Sequence, residues 1–155
     1  MKNRHERLLL MDAKSVFQLL ENMGTENDRI WPSQQIPFRR TRGEMKIGFT
    51  KESHGIIKAV LSEYKKNDRI VWSADLPSLK GTHGFYLEAI GENETKITHF
   101  LSAMLSWWFW PLWYLKIEKI HNRIIEGIFD KISYYSRVVK TTRLLARGNK
   151  IQKHG

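Results

Sequence analysis

The chain has 155 residues, 41% of them hydrophobic and 27% charged, with no cysteine and a formal net charge of +10. That length suits one compact domain, and the missing cysteine excludes a disulfide framework, a zinc–thiolate or iron–sulfur site and a catalytic thiol, fitting a reducing, cytoplasmic setting. The opening residues hold too short an apolar run for a signal peptide, and the most apolar stretch, 101–115, is broken by Pro111 and falls short of the roughly 18 residues of a spanning helix, so a soluble or peripheral protein is expected.

Residues 6–12 read as a first strand. Asp12 then stands where an N-cap would start a helix carrying Val16, Phe17, Leu19 and Leu20, and Gly24 ends it. Polar residues with Pro32 and Pro37 dominate 25–37, which predicts a short helix or loop around Ile30 and Trp31. Segments rich in β-branched and aromatic residues follow at 36–42, 45–51, 55–64, 69–75, 82–90 and 95–105. Turn-like clusters at 65–68 and 91–94 make the middle of the chain an antiparallel meander.

Period-two alternation identifies the buried face of the last strands. His83, Phe85, Leu87 and Ala89 share one face, as do Ile97, His99, Leu101 and Ala103, and as do Ile70, Trp72 and Ala74. Residues 56–61 alternate poorly, and their facing stays open. From Pro111, apolar residues recur every three or four positions at Trp113, Ile117, Ile120, Ile124, Ile128, Ile132, Tyr135 and Val139, which predicts one long helix with a single buried stripe. A strand, a helical segment, six strands and a terminal helix make an α+β fold.

Three pieces of text resemble a known group: 80–88 (KGTHGFYLE), 95–99 (TKITH) after a Gly-Glu-Asn turn, and Trp110-Pro111-Leu112 opening the last helix. With the order of elements, they are similar to bacterial members of the START-like (SRPBCC) superfamily, in its polyketide cyclase/dehydrase and lipid-transport group. The resemblance covers about 6–136. It implies a helix-grip fold, a curved antiparallel sheet of six or seven strands around the long C-terminal helix, with short helices after the first strand. It also implies a sheet–helix cavity for a hydrophobic small molecule or lipid. The chain divides into a START-like domain, 1–136, and a basic helical extension or tail, 137–155.

The expected ligand-binding set is Trp72, His83, Phe85, Leu87, His99, Leu101, Trp113, Ile117 and Ile120, with His83 and His99 as polar anchors in an apolar pocket. A neutral imidazole can also move protons near pH 7, so the same two histidines are the catalytic candidates of an alternative cyclase- or dehydratase-like enzyme. No distinctive catalytic constellation, P-loop, dinucleotide turn or zinc-hydrolase motif accompanies them, so binding is preferred over catalysis. Strand register separates His83 from His99, His121 is the other histidine well placed, and no metal or cofactor is assigned.

Residues 131–155 hold seven of the Lys and Arg residues and no Asp or Glu. Arg137, Lys140, Arg143 and Arg147 are therefore candidates for an anionic membrane surface. Six aromatics in 107–114 cannot all face one core, and the surplus offers a ligand gate, an interfacial anchor or a homodimer contact. Arg39, Arg40 and Arg42 form a second basic cluster able to pair an anion at an opening. No nucleic-acid motif is present, and the aromatics lie apart from most of the charge.

Overall fold

The computed structural model describes the backbone of residues 1–151 and the side chains of residues 1–139, 141 and 142. Seven antiparallel strands form one sheet: β1 (Lys2–Leu9), β2 (Arg39–Arg40), β3 (Lys51–His54), β4 (Ile57–Lys65), β5 (Arg69–Asp75), β6 (Leu79–Gly91) and β7 (Glu94–Leu105). Their order across the sheet is β1-β7-β6-β5-β4-β3-β2, so the first strand closes the far side of the meander beside the last. Helix α1 (Ala13–Asn22) follows β1, while α2 (Trp110–Leu112), a π-helical turn (Trp113–Ile117) and α3 (Glu118–Ile151) form the C-terminal arm. The fold is α+β, with the sheet packed on a long C-terminal helix.

Local chemistry sets the boundaries. Asp12 caps α1 by accepting the Ser15 backbone N–H at 2.9 Å, and α1 buries Val16, Phe17 and Leu20. After it, Gly24 takes φ +78°, a left-handed conformation that favours glycine. A single helix follows β1, because the segment after Gly24 is organised by side-chain bonds instead. Asp28 accepts the backbone N–H groups of Gly24, Ile30 and Trp31 at 2.8, 2.9 and 3.0 Å, holding that loop against the core.

Strand boundaries differ from the sequence reading where turns and bulges intervene. The first strand begins earlier, at Lys2. Expected strand 45–51 is instead a turn in which Gly48 has φ +79°, and Ile47 and Phe49 are exposed. In β4, Ala59 and Leu61 are buried two residues apart on one face, and the register slip between Leu61 and Glu63 lets Tyr64 turn inward three residues later. In β6, a Cβ on Gly84 would lie 2.2 Å from the Ile70 carbonyl oxygen, and one on Gly81 would lie 2.2 Å from that of Ser102. These glycines let neighbouring strands approach closely.

The C-terminal arm departs from one uniform stripe. The π-helical turn shifts the phase, and the fully buried residues of α3 become Ile125, Ile128, Phe129, Ile132 and Ser136. Ile117, Ile120 and Ile124 sit half-buried beside that ridge. Val139, expected on the buried stripe, is 41% exposed. On its other flank, α3 meets the polar inner face of β1. Asn3 Nδ2 donates to Asn122 Oδ1 at 2.9 Å, and Arg7 pairs with Glu126 at 2.6 Å and Asp130 at 2.5 Å.

Candidate functional site

Between the concave face of the sheet and the C-terminal arm lies a cavity of about 330 Å³. Strands β5 to β7 supply Trp72, Leu79, His83, Phe85, His99 and Leu101, while the arm supplies Trp113, Ile117, Ile120, His121, Ile124, Ile125 and Ile128. The loop after α1 closes one side with Trp31, Ile36 and Phe38, and the β3–β4 turn adds His54, Gly55 and Ile56. Exposed Ile56, Leu112 and Lys116 mark its rim. Ile117, Ile120 and Ile124 are half-buried and border this space, and Ile117 and Ile124 also pack against the core.

Eight of the nine residues expected to bind a ligand line the cavity; Leu87 is buried on the same strand face but lies outside it. In the β6–β7 hairpin, Leu101 stands opposite His83 and Phe85 opposite His99. The two histidines are therefore diagonal neighbours, with ring centroids 6.4 Å apart.

They belong to a longer row of imidazoles. His54 and His83 are 5.6 Å apart, His99 and His121 are 5.1 Å apart, and His121 and His5 are 6.3 Å apart, between ring centroids. At one end of the row, the buried Glu52 carboxylate meets His54 Nδ1 at 2.7 Å and His83 Nε2 at 3.0 Å. At the other, His5 Nδ1 meets Glu126 at 2.6 Å and His5 Nε2 meets Asn122 at 3.1 Å. Among the described residues, no group of three or more His, Asp or Glu side chains is arranged to hold a metal ion.

The electrostatics of the row follow from burial. Burial alone would raise the Glu52 carboxyl, but hydrogen bonds from His54 and His83, with their charge, outweigh it and hold the group at about 2. Burial moves His99 in the opposite sense, well below the usual imidazole value, and the neighbouring histidines add to the effect. Burial also lowers His121 to about 4, against the opposing hydrogen bond with Asn122. The interior thus favours a carboxylate between two imidazoles and, deeper in, neutral imidazoles on an apolar wall.

Sequence reasoning missed Glu52, His54 and His5. The signal for the first two was Glu52-x-His54, two polar residues on one face of a short strand, a spacing that places both toward the same neighbour. The arginine cluster plays another part. Arg40 donates to the Glu21, Thr41 and Gly43 carbonyl oxygens, Arg39 and Arg42 are exposed, and none of the three lines the cavity.

The aromatic run 107–114 divides as its density requires. Phe109 and Trp113 are buried, whereas Trp107, Trp108, Trp110 and Tyr114 are exposed, Trp107 by 87%. Among the anionic-surface candidates, Arg137 is exposed, and the side chains of Lys140, Arg143 and Arg147 lie outside the described residues. Among the described residues, no helix is long and apolar enough to cross a membrane.

No family model matches the chain, and no curated protein matches it. Solved structures do. A protein of Nitrosomonas europaea is 12% identical, with a TM-score of 0.63 over 91% of this chain and 97% of that one. A protein of Arthrobacter aurescens, solved by NMR, is also 12% identical, with a TM-score of 0.63 over 88% of this chain and 86% of the other. A START superfamily protein from Mycobacterium smegmatis is 9% identical, with a TM-score of 0.61 over 89% of this chain and 98% of its own. Such identities speak for architecture alone. The chain has the START-like fold, the one its sequence resembles.

Proposed function

We propose that the protein binds a hydrophobic small molecule or lipid in the cavity between sheet and C-terminal arm. One observation carries this reading: a space of about 330 Å³ is kept open inside a wall made mostly of aromatic and aliphatic side chains. An interior that only stabilised the fold would close over such a space, because each unfilled volume forfeits packing energy. Burial of apolar ligand surface supplies affinity, and a few polar groups fix orientation. The exposed apolar rim residues Ile56 and Leu112 support entry from that side. For a lipid ligand, exchange at a bilayer surface fits the neighbouring exposed tryptophans.

The test is native mass spectrometry of the purified protein, followed by titration with the neutral fluorophore N-phenyl-1-naphthylamine. A one-to-one complex is expected, and Ile120→Trp, which puts an indole into the cavity from α3, should abolish it while the protein stays folded. Failure of the fluorophore to saturate a single site, or undiminished binding by the filled variant, would refute the reading.

A second reading, proton-transfer catalysis in the same cavity, is favoured by the Glu52–His83 contact. A buried carboxylate orienting an imidazole is an arrangement that general acid–base catalysis uses, and His83 lines the cavity. Its chemistry would be removal and return of a proton beside a substrate carbonyl. Uptake of deuterium from heavy water at that carbon, lost in His83→Phe while binding persists, is the expected sign. Uptake no faster than in buffer would leave binding alone.

A further inference from the structure

Two polar atoms of the cavity residues have no partner among the described residues: His99 Nδ1 and Trp113 Nε1. Both side chains are almost wholly buried, at 2% exposure each, and both line the cavity. His121 joins them into one group, its ring centroid 5.1 Å from that of His99 and 5.9 Å from that of Trp113. A buried donor or acceptor without a partner is costly, and native structures rarely leave one so. The other polar groups of the row are engaged, Glu52 with His54 and His83 and His5 with Glu126, so this want is confined to one part of the wall.

We propose that Trp113 and His99 form a head-group subsite for an uncharged oxygen, a ketone, ester or hydroxyl, carried by an otherwise apolar ligand. The proposal rests on the reading that the cavity binds an apolar molecule, and it names the polar end of that molecule. The indole N–H can only donate, so the ligand atom it meets must accept. A ketone, ester or hydroxyl oxygen can accept from Trp113. A carboxylate or phosphate fits poorly. Lys116, the lysine of the cavity wall, is exposed at the rim, while the buried Glu52 carboxylate already occupies the His54–His83 end. A second buried anion would be desolvated without compensation.

Three probes of nearly one shape separate the possibilities: 2-acetylnaphthalene with a neutral carbonyl, 2-ethylnaphthalene without oxygen, and 2-naphthoate with a charge. Titrated calorimetrically into the full chain, the ketone is expected to bind about tenfold more tightly than the hydrocarbon, the return for satisfying one or two buried polar groups. The carboxylate should be the weakest. Trp113→Phe and His99→Phe should each reduce the ketone's advantage while affinity for 2-ethylnaphthalene holds.

On the unaltered protein, the Trp113 indole N–H resonance should move downfield with the ketone and not with the hydrocarbon. Equal affinity of ketone and hydrocarbon, an advantage that survives both substitutions, an unmoved indole resonance or tightest binding of 2-naphthoate would each overturn the subsite while leaving apolar binding intact. If none of the three probes binds, the cavity reading itself falls, and the subsite with it.

Discussion

Glu52 places a fully buried carboxylate between two imidazoles, and its removal should be felt in stability before anything else. Glu52→Leu leaves His54 Nδ1 and His83 Nε2 without their acceptor, and a loss of about 1–3 kcal/mol in urea unfolding at pH 7 is expected. Because the folded group is held at about 2, below its ordinary 4.5, its contribution is complete above pH 4.5 and disappears as pH falls toward 2. His121 has the opposite charge type and acts in a higher window. The unfolded chain takes up its proton near 6.5 and the folded chain only at about 4, so stability falls as pH drops between these values. The loss from pH 7.5 to 5 is about 2 kcal/mol from His121, with His99 adding in the same direction. Thermal unfolding across that range should show it, and His121→Gln should flatten the slope; an equal slope would remove His121 as its source. Residues of this kind were unevenly legible. His83 and His99 stand out in sequence because regular alternation fixes their face. Glu52 does not, because its strand is four residues long and pairs at each end with short or irregular neighbours.

At the scale of elements, legibility followed regularity. Strands β5 to β7 lie close to where alternation put them, since their pairing is almost continuous. The region 36–51 misled because Ile47 and Phe49 alternate like strand residues yet lie exposed on a turn. The π-helical turn at Trp113–Ile117 is likewise invisible to a search for period 3.6. The close approach of neighbouring strands depends on Gly81 and Gly84. Gly84→Ala would put a methyl 2.2 Å from the Ile70 carbonyl oxygen, and more than about 2 kcal/mol should be lost on forcing the strands apart. Gly43 is the control. Nothing lies within 4 Å of a Cβ there, and its φ of +90° should cost Gly43→Ala about 1 kcal/mol. Comparable losses at both positions in urea titrations would mean that β5 and β6 are not held at close approach.

For the whole molecule, the order of elements carried the fold, because a meander followed by one long helix leaves few ways to bury both. The cavity itself was implied by resemblance and could not be read from composition, since the same apolar side chains that line a space could equally fill one. What surrounds its rim can be tested through the geometry of the C-terminal arm. Exposed Trp107, Trp108, Trp110 and Leu115 lie at its start and Arg137 lies about 36 Å farther along, taking 1.5 Å per residue from Trp113. A bilayer touching the aromatic end therefore need not touch the basic end, and the two contributions should separate. If the aromatic end inserts, Trp107→Ala with Leu115→Ser should weaken binding to neutral phosphatidylcholine vesicles and to vesicles containing phosphatidylserine alike, by about tenfold on the apolar area lost. Deleting 137–155 should weaken binding only to the anionic vesicles, and rising salt should erase that difference. Cosedimentation of the parent chain and both variants decides the matter. Two variants that bind like the parent would remove the membrane surface as a partner, whereas loss confined to the deletion would leave the rim to the ligand and give the surface to the tail.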